Sequence, residues 1–277
     1  MEVIFYEKRK DYKIMTKRFG FTLAEVLITL GIIGVVAAMT IPTLIANTNG
    51  AKFRSQFKKS ISTLNQAGLM AQAQYDFDYA GTSAKCGDTL ASGHAATAQH
   101  PDSDMTMCAI LNGTLTGQTY LGTVADGVKR NNNGASADYT LVNAGDGVLT
   151  QAGIDTYLAY SLADGSIVAF NPDAEGCELP VGKQLTAGVL ECTDADVNLS
   201  NCIGFIDVNG ATLPNKEVTC SAAGAGGTAD VASHSVEAPC VVKNDAKHMT
   251  DVFPIVFHDA TVEPASDAAK YILTTSK

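Results

Sequence analysis

Hydrophobic and polar positions change their rhythm three times along this chain. From Phe21 to Ala46 nearly every residue is apolar or small; one acid, Glu25, interrupts the run, and no base follows until Lys52. About 20 such residues suffice to carry a helix across a bilayer, so this segment is long enough to span. After Pro42 the pattern turns amphipathic. Phe53, Phe57, Ile61, Leu64 and Ala71 recur at helical spacing with Lys52, Arg54, Lys58 and Lys59 between them, which predicts one buried stripe. Together the two segments predict a single long, interrupted helix from about Thr22 to about Tyr75. Pro42 has no amide hydrogen and crowds the turn before it, so a bend or melted turn is expected at Ala38–Pro42.

From Tyr79 onward the rhythm is that of short strands among turns. Thr156–Leu162 and Ser166–Phe170 flank Ala163-Asp164-Gly165, a hairpin signal. Cys202–Val208 and Val252–Phe257 are the strongest strands, and Ala260–Val262 is expected to return from the second. Residues 131–134 and 221–227 read as loops. One long helix followed by meandering strands indicates an α+β fold, with an antiparallel sheet packed on the amphipathic half of the helix and the loops braced by disulfides. The expected organisation is a leader over residues 1–20, a membrane or filament-core helix over 21–46, an amphipathic stem over 47–78 and a β-rich head over 79–277.

The start of the chain adds a motif to this pattern. Lys17-Arg18 precede Gly20, then come Phe21-Thr22-Leu23-Ala24-Glu25, the apolar helix and, late in it, Pro42. This combination resembles the N-terminus of type IV prepilins and type II secretion pseudopilins. The resemblance implies cleavage by a membrane-embedded prepilin peptidase at Gly20–Phe21 and N-methylation of the new terminus, Phe21. It further implies that Glu25 and Pro42 serve assembly, Glu25 by neutralising the α-amine of a neighbouring subunit. Physics favours such a pairing, because a lone carboxylate at mid-bilayer costs about 2.5–3.5 kcal/mol on insertion scales. Two other readings compete: a secretory signal peptide with a small-residue site at Val36-Ala37-Ala38, and a plain single-span anchor in which Glu25 has no role. Met15 offers an alternative start, which would leave a short basic leader.

Charge and cysteines sharpen the topology. The chain carries a net charge of −10, and residues 1–20 hold six bases against three acids, so the head is more acidic than the whole. Such a head argues against nucleic acid as a partner. Bases flank the apolar run on both sides and lean only weakly towards a cytoplasmic leader. All seven cysteines, Cys86, Cys108, Cys177, Cys192, Cys202, Cys220 and Cys240, lie beyond the span, as expected for a head exported to an oxidising compartment. No C-x-x-C spacing suggests zinc. Connectivity is open from the sequence; sequential pairing would join Cys86 to Cys108, Cys177 to Cys192 and Cys220 to Cys240 and leave Cys202 free in a strand.

Little in the head suggests chemistry. Asp207 and Asn209 are spaced like the first ligands of a calcium loop, and Asp251, just before a strand, could complete such a site. The competing reading, an Asx-turn in which these side chains cap their own backbone, is preferred. His94, His100, His234, His248 and His258 read as solvated loop residues, and no G-x-S-x-G, phosphate loop or H-E-x-x-H is present. No enzyme activity and no cofactor beyond that candidate calcium are expected.

The sequence therefore points to a structural subunit: a single-pass precursor in the inner (cytoplasmic) membrane, with its head on the extracytoplasmic side, that assembles into a pilus or pseudopilus. The absence of an adhesive or DNA-binding composition leans towards the type II secretion or general pseudopilin class. The resemblance implies like subunits, the prepilin peptidase, an assembly ATPase and membrane platform proteins as partners. The alternative is a membrane-anchored or secreted binding module whose cysteine-braced head never polymerises.

Overall fold

One helix, α1 (Leu23–Tyr75), runs from the apolar segment into the amphipathic one. The computed structural model describes residues 21–86, 105–128, 139–141, 149–179, 199–220, 242 and 249–275. Lys17, Arg18, Gly20 and the rest of the leader with Met15, Cys192, Cys240, His94, His100, His234, His248 and the loops expected at 131–134 and 221–227 lie outside them. The chain divides into two compact units, Met1–Pro42 and Thr43–Lys277.

In the first unit, Leu23–Pro42 has a mean hydropathy of 2.2, is long and apolar enough to cross a membrane, and none of it is buried within the chain. Pro42 lies inside α1, so the expected melted turn at Ala38–Pro42 is absent. Proline in a helix interior costs about 3 kcal/mol, a local penalty that a helix with many turns on either side of it absorbs without ending.

Among the described residues the second unit is built on a sheet of six strands: β1 (Thr119–Thr123), β2 (Leu158–Ser161), β3 (Ile167–Phe170), β4 (Ile203–Asp207), β5 (Val252–His258) and β6 (Thr261–Pro264). They lie side by side in chain order, and each neighbour is antiparallel. Every residue of β3, β4 and β5 is buried, because both faces of the sheet are covered. On one face Phe53, Phe57, Ile61, Leu64 and Ala71, the stripe read from the sequence, join Val168, Phe170, Ile206, Phe253 and Phe257. On the other, Tyr139, Leu149, Ile154 and Tyr157 cover Ala169, Phe205 and Val252. Short helices α2 (Met107–Thr114), α3 (Val124–Gly127), α4 (Gln151–Asp155) and α5 (Asp267–Thr274) lie among the described residues as well. Each begins at a hydroxyl cap, Thr106, Thr123, Thr150 and Ser266 respectively, whose side chain accepts an amide that the helix leaves unsatisfied.

Four contacts fix α1 in the head. Phe57 stacks on Phe253 with ring centroids 4.3 Å apart. The Tyr79 hydroxyl, fully buried, donates to the Leu64 carbonyl at 2.7 Å. At the β5–β6 corner the Val262 amide donates to Asn65 Oδ1 at 2.5 Å, and Gly68 sits so close to Ala260 that a Cβ there would lie 2.7 Å from its carbonyl oxygen.

The predicted hairpin is present, with Gly165 at φ +86° in its turn, where a side chain would be strained. Disulfides join Cys86 to Cys108 and Cys177 to Cys202. The second bond corrects the expected Cys177–Cys192 pair and the expected free Cys202. Its cause is strand pairing: β3 and β4 are antiparallel, with Phe170 opposite Gly204, so the chain leaving β3 runs beside the chain arriving at β4. The Asn171 amide donates to the Ile203 carbonyl in that same junction. Cys202 itself ends a 3-10 turn, Leu199–Cys202, rather than starting the strand. Cys220 is disulfide-bonded as well. His258 corrects a further expectation. It closes β5 at 6% exposure, because the strand extends one residue past Phe257, and so it is no solvated loop residue.

Candidate functional site

At the start of α1 the sequence Thr22-Leu23-Ala24-Glu25 forms a reciprocal cap. The Glu25 amide donates to Thr22 Oγ1 at 3.2 Å, while the Thr22 amide and hydroxyl each donate to Glu25 Oε2 at 2.8 Å. This is the capping box, in which a hydroxyl residue and an acid three positions later satisfy each other's orphan donors. The acid also sits where the positive end of the helix dipole favours it. Phe21, just outside the cap, is 87% exposed, and the apolar side chains behind it, from Leu23 to Ile45, are exposed as well. An acid, a capped helix start and an uncovered apolar surface therefore share one end of the chain.

The head holds a second polar cluster, around Asp207, Asn209 and Asp251. Both aspartates are fully buried. Asp207 ends β4; its Oδ2 accepts from the Tyr139 hydroxyl at 3.1 Å and its Oδ1 from the Asn209 amide at 3.3 Å, which closes an Asx-turn. Asp251 precedes β5 and accepts from the Asn215 amide at 2.8 Å and the Lys216 amide at 2.6 Å. Backbone bonds Val208 to Asp251 and Asp251 to Lys216 tie the same segments together. Pairing of β4 with β5 thus brings Asp251 back to the turn that carries Asp207 and Asn209, and the carboxylate oxygens are used to clamp that turn. Burial pushes the Asp251 carboxyl up to about 6, against the backbone amides of Lys216 and Asn215, which favour its charged form. Among the described residues no group of three or more His, Cys, Asp or Glu could hold a metal ion.

Residues 15–41 match the family model of the prokaryotic N-terminal methylation motif. That motif is the mark of a prepilin-type precursor. The match covers the junction Gly20–Phe21, Glu25 and the apolar helix and ends just before Pro42, so it carries no information about the head. No curated protein and no solved structure matches the chain.

Within this prepilin-type terminus the structure places Phe21, Glu25 and Pro42 on or beside one helix, while Gly20 lies outside the described residues. Reading the sequence missed Thr22. The signal was there to find, since T-x-x-E before an apolar run is a capping box. The sequence alone presents Glu25 as a lone carboxylate, paired with another subunit or without a role, whereas Thr22 already engages it within the chain.

Proposed function

We propose that this chain is the precursor of a structural subunit of a type IV pilus-like or type II secretion pseudopilus filament. Prepilin peptidase cleaves Gly20–Phe21 and methylates Phe21; the first helix holds the subunit in the inner membrane with the head on the extracytoplasmic side, and subunits then assemble through that helix with the help of an ATPase and platform proteins. One observation carries the reading: the methylation motif continues into an apolar helix of which nothing is buried within the chain. Such a surface needs lipid before assembly and other apolar helices after it, and a filament supplies the second. The role is architectural rather than catalytic.

Mass spectrometry of the chain from membrane and sheared-filament fractions tests this. A mature terminus at N-methylated Phe21, found in both fractions, is the expected result. An intact leader, or a start near Met39, overturns the reading in favour of an anchored or secreted binding module.

A further inference from the structure

The β5–β6 corner holds a polar arrangement that neither the fold nor the terminus uses. His258 Nδ1 lies 3.0 Å from Asp259 Oδ2. A carboxylate can only accept, so this contact puts a proton on Nδ1, and in the neutral ring the lone pair then lies on Nε2. That Nε2 is buried and has no hydrogen-bond partner. What it faces is another electron-pair donor, Glu263 Oε2, at 3.9 Å. Two such donors turned towards each other leave a gap that a cation can bridge, either a proton on Nε2 or a metal ion.

We propose that His258 Nε2 and Glu263 form a two-ligand site for a divalent transition-metal ion of the Zn2+ class, with water in the remaining positions. The ligand types select the ion: imidazole with one carboxylate suits zinc and its neighbours better than calcium or magnesium, which prefer all-oxygen sets. Asp259 supplies the supporting contact that metal-bound histidines commonly have, a carboxylate on the other ring nitrogen that fixes tautomer and ring orientation. For tetrahedral zinc with bonds of about 2.0–2.1 Å the two donor atoms stand about 3.3 Å apart. The Glu263 side chain is 49% exposed against 7% for His258, so closing the remaining gap is a rotation of the outer ligand onto a fixed inner one, and the outer side stays open to water. Only two side chains contribute, which accords with the absence of any three-residue group among the described residues.

The site has a structural consequence. It joins β5 to β6 at the corner where the Val262 amide reaches Asn65 of α1, where Ala260 abuts Gly68 and where the Tyr79 amide donates to the Asp259 carbonyl. An ion there ties the corner that seats the helix, and its binding adds to the stability of the folded head. The proposal stands on this corner alone and does not depend on filament assembly.

The test is calorimetric titration of the full-length, detergent-solubilised chain with ZnCl2, alongside Glu263→Gln and His258→Gln. Because the chain has other histidines and cysteines, the difference in stoichiometry is what counts. The wild type should bind one equivalent more than either variant, and saturating Zn2+ should raise its melting midpoint by about 2–4 °C more than that of Glu263→Gln. Equal stoichiometry and equal melting shifts in wild type and Glu263→Gln overturn the proposal. Glu263→Gln replaces one half-exposed polar group by another, so it decides the matter even where His258→Gln does not fold.

Discussion

Replacing Gly68 by alanine sets two effects of opposite sign against each other on α1. Alanine is about 0.8–1.0 kcal/mol better than glycine inside a helix, so propensity alone predicts a gain. The surroundings predict a loss. A Cβ at Gly68 would meet the Ala260 carbonyl oxygen at 2.7 Å and a Tyr79 ring carbon at 2.8 Å. Neither neighbour yields readily: the first is backbone in the β5–β6 corner, and the second belongs to a fully buried ring tethered by its hydroxyl to Leu64. Relief therefore requires α1 to move off the corner, loosening the Asn65 to Val262 bond as well. Overpacking of this kind costs about 1–3 kcal/mol, and the lost hydrogen bond about 1 kcal/mol more, so the net expectation is destabilisation by about 1–3 kcal/mol. Urea denaturation of the detergent-solubilised chain, followed by near-ultraviolet circular dichroism from the head tyrosines, measures it. Ser62→Ala, on the exposed side of the same helix, is the control and should change stability by a few tenths of a kcal/mol at most. If Gly68→Ala unfolds at the same or a higher urea concentration than the wild type, the packing argument at this corner is wrong.

Further outcomes follow from the head. Asp251 has a folded value raised to about 6 from an ordinary 3.8; its contribution to stability is therefore complete below the unfolded value and is lost as pH rises through the folded one. The wild type should lose up to about 3 kcal/mol between pH 4 and pH 7 relative to Asp251→Asn, measured as the difference between two stability-against-pH curves; parallel curves would contradict it. Non-reducing peptide mapping should recover Cys177 linked to Cys202 and Cys86 linked to Cys108, and a Cys177–Cys192 peptide in their place would contradict the strand-pairing argument. With Cys86 and Cys108 separated by 22 positions in the sequence, replacing both by serine should lower the stability of the oxidised chain by about 3 kcal/mol in chemical denaturation.

What the sequence made legible was what short-range periodicity encodes. The stem stripe from Phe53 to Ala71 is entirely buried, and the hairpin about Asp164-Gly165 forms where alternation and glycine place it. Long-range pairing was legible only in part. Cys202 finds Cys177 because β3 lies against β4, a relation that no cysteine spacing states, whereas Asp251, expected beside Asp207 and Asn209, does reach that turn, because β4 lies against β5. Strand β1 was missed because Thr119–Thr123 is short, holds a glycine, Gly122, next to its last residue and carries no clean alternation. Helices α2 and α5, of eight residues each, were passed over although Thr106 and Ser266 announce their starts; both lie in stretches where periodicity had too few turns to show.

Glu25 is where the fold and the proposed function press on the same atoms. Its carboxylate is held by the amide and hydroxyl of Thr22, and cleavage at Gly20–Phe21 would place a free amine one residue before that cap. In a filament the carboxylate would therefore be shared between its own helix start and a neighbour's terminus. Two substitutions separate these roles. Glu25→Gln keeps an acceptor for the Thr22 amide, since glutamine also closes a capping box, but removes the charge. Thr22→Val removes the hydroxyl and keeps the charge. If charge neutralisation drives assembly, Glu25→Gln should be cleaved and inserted yet yield few sheared filaments by immunoblot, while Thr22→Val, with its carboxylate released from the hydroxyl, should still assemble. Filament yield that survives Glu25→Gln and fails in Thr22→Val would mean that the acid acts through the cap, and the pairing of Glu25 with a neighbouring amine would have to be abandoned.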